Sequence, residues 1–259
     1  MIALALVLAA HADPAALRDE LALLNRHMRY PFPMISQHDL ERLDAGKLVR
    51  FRVAPTRTDP KDRAIALRIT TLPRAAVWIS TIDAHFQAKS GLVERRIRNI
   101  EPGHAVWMGL LTLPFPFDDR AWVVETHINP ALVAATDGRA WERWWDLRED
   151  HWNEVLSLAG NGSLAGVTRP ELEAAAFTPT NEGTWFYDQL PDGRLLVGFA
   201  EATVVGGVIP TDVLTHFIVG SLDDLIQGTF DRAANQVPQH YVAGHEPIEG
   251  GDGKALPYY

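Results

Sequence analysis

One stretch limits the folds open to this chain more than any other: Gly206-Gly207-Val208-Ile209-Pro210 and the residues that follow, to about Asn235. Ile209, Val213, Leu214, Phe217, Ile218, Leu222, Leu225, Ile226 and Phe230 recur at steps of three and four, which is the spacing of one broad helical face. Asp212, Asp223, Asp224, Asp231 and Arg232 fall mainly off that face. Pro210 suits a first helical turn, where a missing N–H costs nothing. The paired glycines free the backbone to bend sharply just before it. A helix of about 25 residues runs about 37 Å. An apolar face that long needs a cover of similar length, and a sheet built from the rest of the chain is the obvious one.

The chain has 259 residues, 47% of them apolar, enough to bury a substantial core. A net charge of −9 argues against general nucleic-acid binding. No run of eighteen apolar residues is present, so no spanning helix is expected. The absence of cysteine removes disulfides, thiolate chemistry and Cys-based zinc sites together. At the N-terminus, an apolar run over residues 2–10 ends in Ala10-His11-Ala12, the A-x-A form of a cleavage site. Residues 1–12 are therefore read as a short signal peptide and the protein as periplasmic or secreted. No Lys or Arg precedes the run, and a buried first strand or helix in a cytoplasmic protein is the alternative.

Residues 13–47 read as short N-terminal helices, with Leu17, Leu21 and Leu24 at helical spacing and Gly46 as a stop. Strands are expected over 48–53 and 64–70, a helix over 73–86, and strands over 92–100, 105–113 and 121–128. The tryptophan-rich residues 138–158 read as a helix, within a helical insert over 138–182. Trp141, Trp145, Arg148 and Trp152 would form its stripe. Two strands over 184–190 and 194–205, joined by Pro191-Asp192-Gly193, complete a set of about seven. Residues 236–259, rich in Gly and Pro, read as an extended tail. Hairpin-length links favour an antiparallel sheet, and a long helix on one face makes the fold class α+β.

At this point the sequence resembles START-type domains of the Bet v 1-like (SRPBCC) superfamily, and bacterial members in particular. Leu72-Pro73-Arg74-Ala75-Ala76-Val77-Trp78 is similar to the family's strand end followed by a helix with a Val-Trp pair. Residues 113–123 resemble its proline-containing loop and following strand, although Ala121 stands where an acidic residue usually follows the Arg. Glu182-Gly183-Thr184-Trp185, then Leu195-Leu196-Val197-Gly198-Phe199, then Gly206-Gly207-Val208-Ile209-Pro210 and its helix give the third match. The resemblance spans about residues 48–235. It implies a helix-grip fold, in which a curved antiparallel sheet wraps a C-terminal helix around an apolar tunnel.

The tunnel lining follows from strand alternation once that fold is assumed. Phe199, Val197 and Glu201 share a face of one strand, Trp185 and Tyr187 of the preceding strand, and Trp122 and Val124 of the strand after the Arg120 loop, all toward the tunnel, with Val213 and Phe217 closing from the helix. Arg120 lies beside them. Each could equally be ordinary core, since any sheet–helix layer buries such a face. Glu201, if inward, needs a partner such as Arg120, Arg95 or a ligand hydroxyl; a register slip of one would instead place it in solvent, and that is the reading preferred from sequence. The tryptophan segment would either pack on the sheet, the preferred reading, or form a lid making transient membrane contact, against which its neighbouring acids argue. His240 and His245 lie five apart with no acid at a dependable ligand spacing, so no metal and no cofactor are expected. G-x-S-x-G, P-loop and G-x-G-x-x-G motifs are all absent. The resemblance thus implies a protein that binds, and in some settings transfers, a lipid or sterol-like molecule. A polyketide aromatase/cyclase using Glu201, Tyr187 or His216 is the alternative, and a binding module without transfer a third. The sequence does not indicate an oligomeric state.

Overall fold

A computed structural model describes residues 14–57, 61–89, 91–115, 117–204 and 211–259, without the side chains of 14, 88, 89 and 211–221. The signal-like segment and the Gly206–Pro210 turn lie outside these residues, as do the side chains of Val213, His216 and Phe217. Ten strands form one sheet: β1 (Val49–Val53), β2 (Arg63–Thr70), β3 (Ala88–Lys89), β4 (Leu92–Glu101), β5 (His104–Leu111), β6 (Arg120–Ile128), β7 (Ala140–Leu147), β8 (Ala176–Phe177), β9 (Thr180–Gln189) and β10 (Leu195–Val204). The spatial order is β1-β2-β10-β9-β7-β6-β5-β4-β3, antiparallel throughout, with β8 joining β6 in a short parallel pair. The expected number of about seven fell short because β7 and the two-residue strands were not read from the sequence.

Two helices, α1 (Pro14–Asn25) and α2 (Gln37–Asp44), cover one face. Leu17, Leu21, Leu24, Leu40 and Leu43 meet Ile65, Leu67, Phe186 and Leu196 of the sheet there. Ser36 caps α2 by accepting from the Asp39 N–H, and Gly46, at φ +70°, stops it. The opposite face carries α3 (Arg74–Ile82) and the long α7 (Thr211–Asn235). Leu222, Ile226, Phe230 and Ala233 of α7 bury against Trp78 of α3 and against Trp185, Tyr187, Val197 and Phe199 of the sheet. Of the helical stripe expected from sequence, Leu222, Ile226 and Phe230 are buried and Leu225 is half-buried. Between β6 and β9 come α4 (Pro130–Ala135), α5 (Trp152–Gly160) and α6 (Arg169–Ala174). Of these, α5 and α6 cover the outer side of β5 and β6.

The tryptophan segment is the main correction. Residues 140–147 are a central strand, followed by a short 3-10 helix over Glu149–His151 and an α-helix only from Trp152. β7 pairs with β6 on one side and β9 on the other. Without it, both neighbours would carry unpaired backbone groups through the middle of the sheet, so tertiary context overrides the helix-like composition. Residues four apart share a face in a strand as well as on a helix. Trp141 and Trp145 therefore point to the same side, as a helix would also have placed them, while Trp144 stacks on His127 on the other side.

The C-terminal segment is likewise more than a tail. It begins with a short helix, α8 (Val237–His240), and then packs back over the sheet. Tyr241 is fully buried; its hydroxyl donates to the Leu256 carbonyl and accepts from the Ile248 N–H. Gly250 and Gly251 press against the Trp141 ring, where an added Cβ would lie 2.6 and 2.5 Å from ring and Cβ atoms.

Candidate functional site

A cavity of about 590 Å³ opens between the inner face of the sheet, the end of α3 and the C-terminal segment. Trp78 and Ile82 of α3, Ala105 and Trp107 of β5, Thr126 and Ile128 of β6, and Ile248 give it apolar or neutral walls. Asp83, Arg96, Asn99, Glu101, His104, Arg143, His245, Glu246 and Glu249 bring polar groups to it. Strand alternation explains which sheet residues arrive: Ala105 and Trp107, Thr126 and Ile128 are pairs two apart, and Val106 and Val123, of the opposite parity, face α5 instead. The C-terminal wall, residues 245–250, comes from the stretch whose Gly and Pro content concealed any period.

Among the described residues, the central strand β7 brings Arg143 to this cavity, and β4 brings Arg96. Arg143 sits on β7 between Glu142 and Trp144, donates to the Thr81 carbonyl at 2.7 Å, and its buried Nε–H has no acceptor among the described residues. Burial pulls its pKa below the usual guanidinium value, with Tyr187 and Glu94 pulling the other way. A guanidinium with a spare donor in a partly apolar cleft is ready for a polar or anionic ligand group.

Trp185, Tyr187, Val197 and Phe199 lie on the inner face as alternation required, but they pack against α7 and α3 rather than line this cavity. Trp122 and Val124 share the inner face with Ala105, Trp107 and Trp145, next to the cavity. The Trp122 ring lies over Gly109, where an added Cβ would meet it at 2.1 Å, so this close approach requires glycine. Arg120 is buried and turned back onto the Asp118 and Asp119 carbonyls of its own loop. Val213 and Phe217 lie on α7 with their side chains outside the described residues.

Glu201 is on the inner parity, not slipped into solvent: it faces Gly183 across β9 and Ala64 across β2. Thr203 Oγ1 donates to it at 2.7 Å. Burial raises its pKa, and the Thr203 hydrogen bond only partly offsets that. Tyr187 Oη is held by Thr81 Oγ1 at 2.5 Å, and burial pushes its pKa up. Tyr187 pairs with Val197, four residues along β10 from Glu201, a separation of about 13 Å. These two groups do not converge on one point.

Two other polar clusters escaped the sequence reading because their members are distant in the chain. Asp83, His240 and His245 meet at one end of the cavity; His104, Glu125 and His127 meet at another edge of β5 and β6. In the second, Glu125 accepts from His151 and His104 and pairs with Arg148. Burial alone would raise its pKa, but these partners bring it down to about 2 from the usual 4.5. Its folded value is depressed, so the stability it contributes is present above about pH 4.5 and is lost as pH falls toward about 2. It amounts to about 3 kcal/mol at most. Urea midpoints between neutral pH and about pH 3 are expected to fall less steeply for Glu125→Gln than for the parent. Parallel curves would show that Glu125 does not carry this acid sensitivity.

The geometry defines a helix-grip protein: a curved antiparallel sheet holding a long C-terminal helix, with an interior cleft. Comparison with solved structures makes that class more particular. The chain is similar to human STARD10 at TM-score 0.55 and 8% identity, over 73% of this chain and 70% of that one. It is similar to a STAR-related lipid transfer protein fragment from Xanthomonas axonopodis at TM-score 0.54 and 13% identity, over 73% and 94%. Human StAR-related lipid transfer protein 5 aligns at TM-score 0.55 and 12% identity, over 86% and 97%. No protein-family model matches the sequence, and no curated protein matches it. The chain therefore has the START-type fold, as its sequence patterns suggested. No helix among the described residues is long and apolar enough to cross a membrane.

Proposed function

We propose that this protein binds a hydrophobic small molecule with a polar end, in the cleft between the sheet and its C-terminal cover. The observation that carries the reading is the cavity of about 590 Å³, within the 300–1,000 Å³ span of small-molecule sites. Arg143 and Thr126 meet the polar end. The apolar body lies against Trp107 and Ile248 and reaches toward Trp122, Val124, Trp185 and Phe199 on the same inner face. Similar solved structures described as lipid transfer proteins support a lipid or sterol-like occupant. The cyclase alternative draws no support from the site, since Glu201 and Tyr187 do not converge and Tyr187 is engaged by Thr81.

The test is to purify the chain, identify co-purifying molecules by native mass spectrometry and solvent extraction, and measure uptake of lipid from vesicles. A stoichiometric hydrophobic compound is expected. Ala105→Trp, which fills the cavity, is expected to abolish its retention. Arg143→Met is expected to weaken it about 10- to 100-fold, the worth of one charge-assisted hydrogen bond. A protein that holds nothing and takes up nothing, or an Ala105→Trp variant that binds as the parent does, would sink the reading. Movement of the compound between two vesicle populations separates transfer from storage.

A further inference from the structure

We propose that Asp83, His240 and His245 form a binding site for a divalent transition-metal ion of the Zn²⁺ class. The three side chains come from three places: the C-terminal end of α3, the last residue of α8, and the loop after it. Asp83 Oδ2 lies 3.3 Å from His240 Nε2 and 3.2 Å from His245 Nε2, and the two nitrogens are 3.2 Å apart. They make a nearly equilateral triangle. Zinc holds nitrogen and oxygen ligands at about 2.0–2.1 Å, and tetrahedral geometry then sets ligands about 3.3–3.4 Å apart. The observed triangle is thus one face of a zinc coordination tetrahedron, at its natural size.

Each ligand is also held in position for a metal. His245 Nδ1 lies 2.6 Å from the Glu246 carbonyl, so Nδ1 carries the proton and a neutral ring leaves Nε2 with its lone pair turned to the cluster. The His240 ring stacks on His85, centroids 3.9 Å apart and planes 15° apart, which fixes its orientation. Asp83 is 8% exposed; its Oδ1 accepts from the His85 N–H, while Oδ2, aimed at both imidazoles, is buried without a hydrogen bond. An aspartate oxygen in that position is costly unless something positive meets it.

The other His/Glu cluster fits an ion less well. Arg148 already supplies a cation to Glu125, and His127 Nε2 stands 3.7 Å from that carboxylate. Among the described residues, the ion-pair partners of Asp83 are His240 and His245, with no Arg or Lys. Asp83 and His245 both belong to the cavity wall, so the metal would tie the C-terminal segment to α3 beside the cleft, whatever the cleft holds.

The full chain, stripped with a chelator and dialysed, is titrated with Zn²⁺ against a chromophoric chelator, and with Co²⁺ as a spectroscopic substitute. One equivalent bound at submicromolar affinity is expected, with Co²⁺ bands of tetrahedral intensity. Asp83→Asn, His240→Ala and His245→Ala are each expected to lower affinity at least about 100-fold, beyond the 10–100-fold typical of outer-shell changes. Asp83→Asn keeps the Oδ1 acceptor that holds the His85 N–H, so it reads ligation even if a histidine variant unfolds. No saturable binding would overturn the site. So would affinity unchanged in Asp83→Asn, or affinity lost instead in His104→Ala or His127→Ala.

Discussion

Trp141→Ala is expected to destabilise the protein by about 3–5 kcal/mol, the range for deleting a large buried aromatic side chain. Trp141 is 4% exposed. Its ring meets Trp78 edge-on at 5.3 Å, and the Arg74 guanidinium lies 3.6 Å above it. Gly250 and Gly251 close over it from the C-terminal segment. Truncation would leave a cavity at the joint of sheet, α3 and C-terminal wall, where no single element can collapse to fill it. Denaturant midpoints should show the loss, and limited proteolysis should show earlier cutting after α7. Trp141→Phe should retain most of the stability. A loss below about 1 kcal/mol for alanine would mean the ring does not hold the segment.

Glu142→Ala should cost about 2–4 kcal/mol by stranding buried donors. The side chain is fully buried on the other face of β7. It accepts from the Arg29 N–H at 3.1 Å, from Asn129 Nδ2 at 2.5 Å and from Thr184 Oγ1 at 2.9 Å. It thereby joins the segment between α1 and α2 to β7, β9 and the start of α4. Burial raises its pKa, with the hydrogen bonds from Asn129, Arg29 and Thr184 opposing. A raised folded value means that keeping the charge costs stability at neutral pH, and that cost is relieved as pH falls into the carboxylate range. Glu142→Gln keeps one acceptor oxygen and should lie between parent and alanine. Equal stability of all three in chemical denaturation would remove Glu142 from the framework.

The long helix, the N-terminal leucine helices and the β9–β10 hairpin were legible because each has an unbroken period or a strong turn. The inner-face parity of Trp185, Tyr187, Val197 and Phe199 followed from alternation alone. β7 was not legible: four-residue tryptophan spacing satisfies both periods, and only the need to pair β6 with β9 decides between them. The cleft lay beyond sequence reasoning for a different reason. Asp83, Arg143 and His245 come from three separated stretches, and no local pattern records that the chain brings them together. The histidines at 240 and 245 were visible as a pair, but their acid sits at the far end of α3.

One wall of the cleft is irregular chain, while the opposite wall is sheet whose every strand is paired. The two walls therefore differ in how much change they tolerate. Substituting Ile248 or Glu249 reshapes the interior without disturbing a strand register, whereas altering Trp107 disturbs the scaffold itself. A protein built this way can be re-tuned to a new occupant through a handful of positions near residue 248, leaving the folding problem already solved by the sheet untouched.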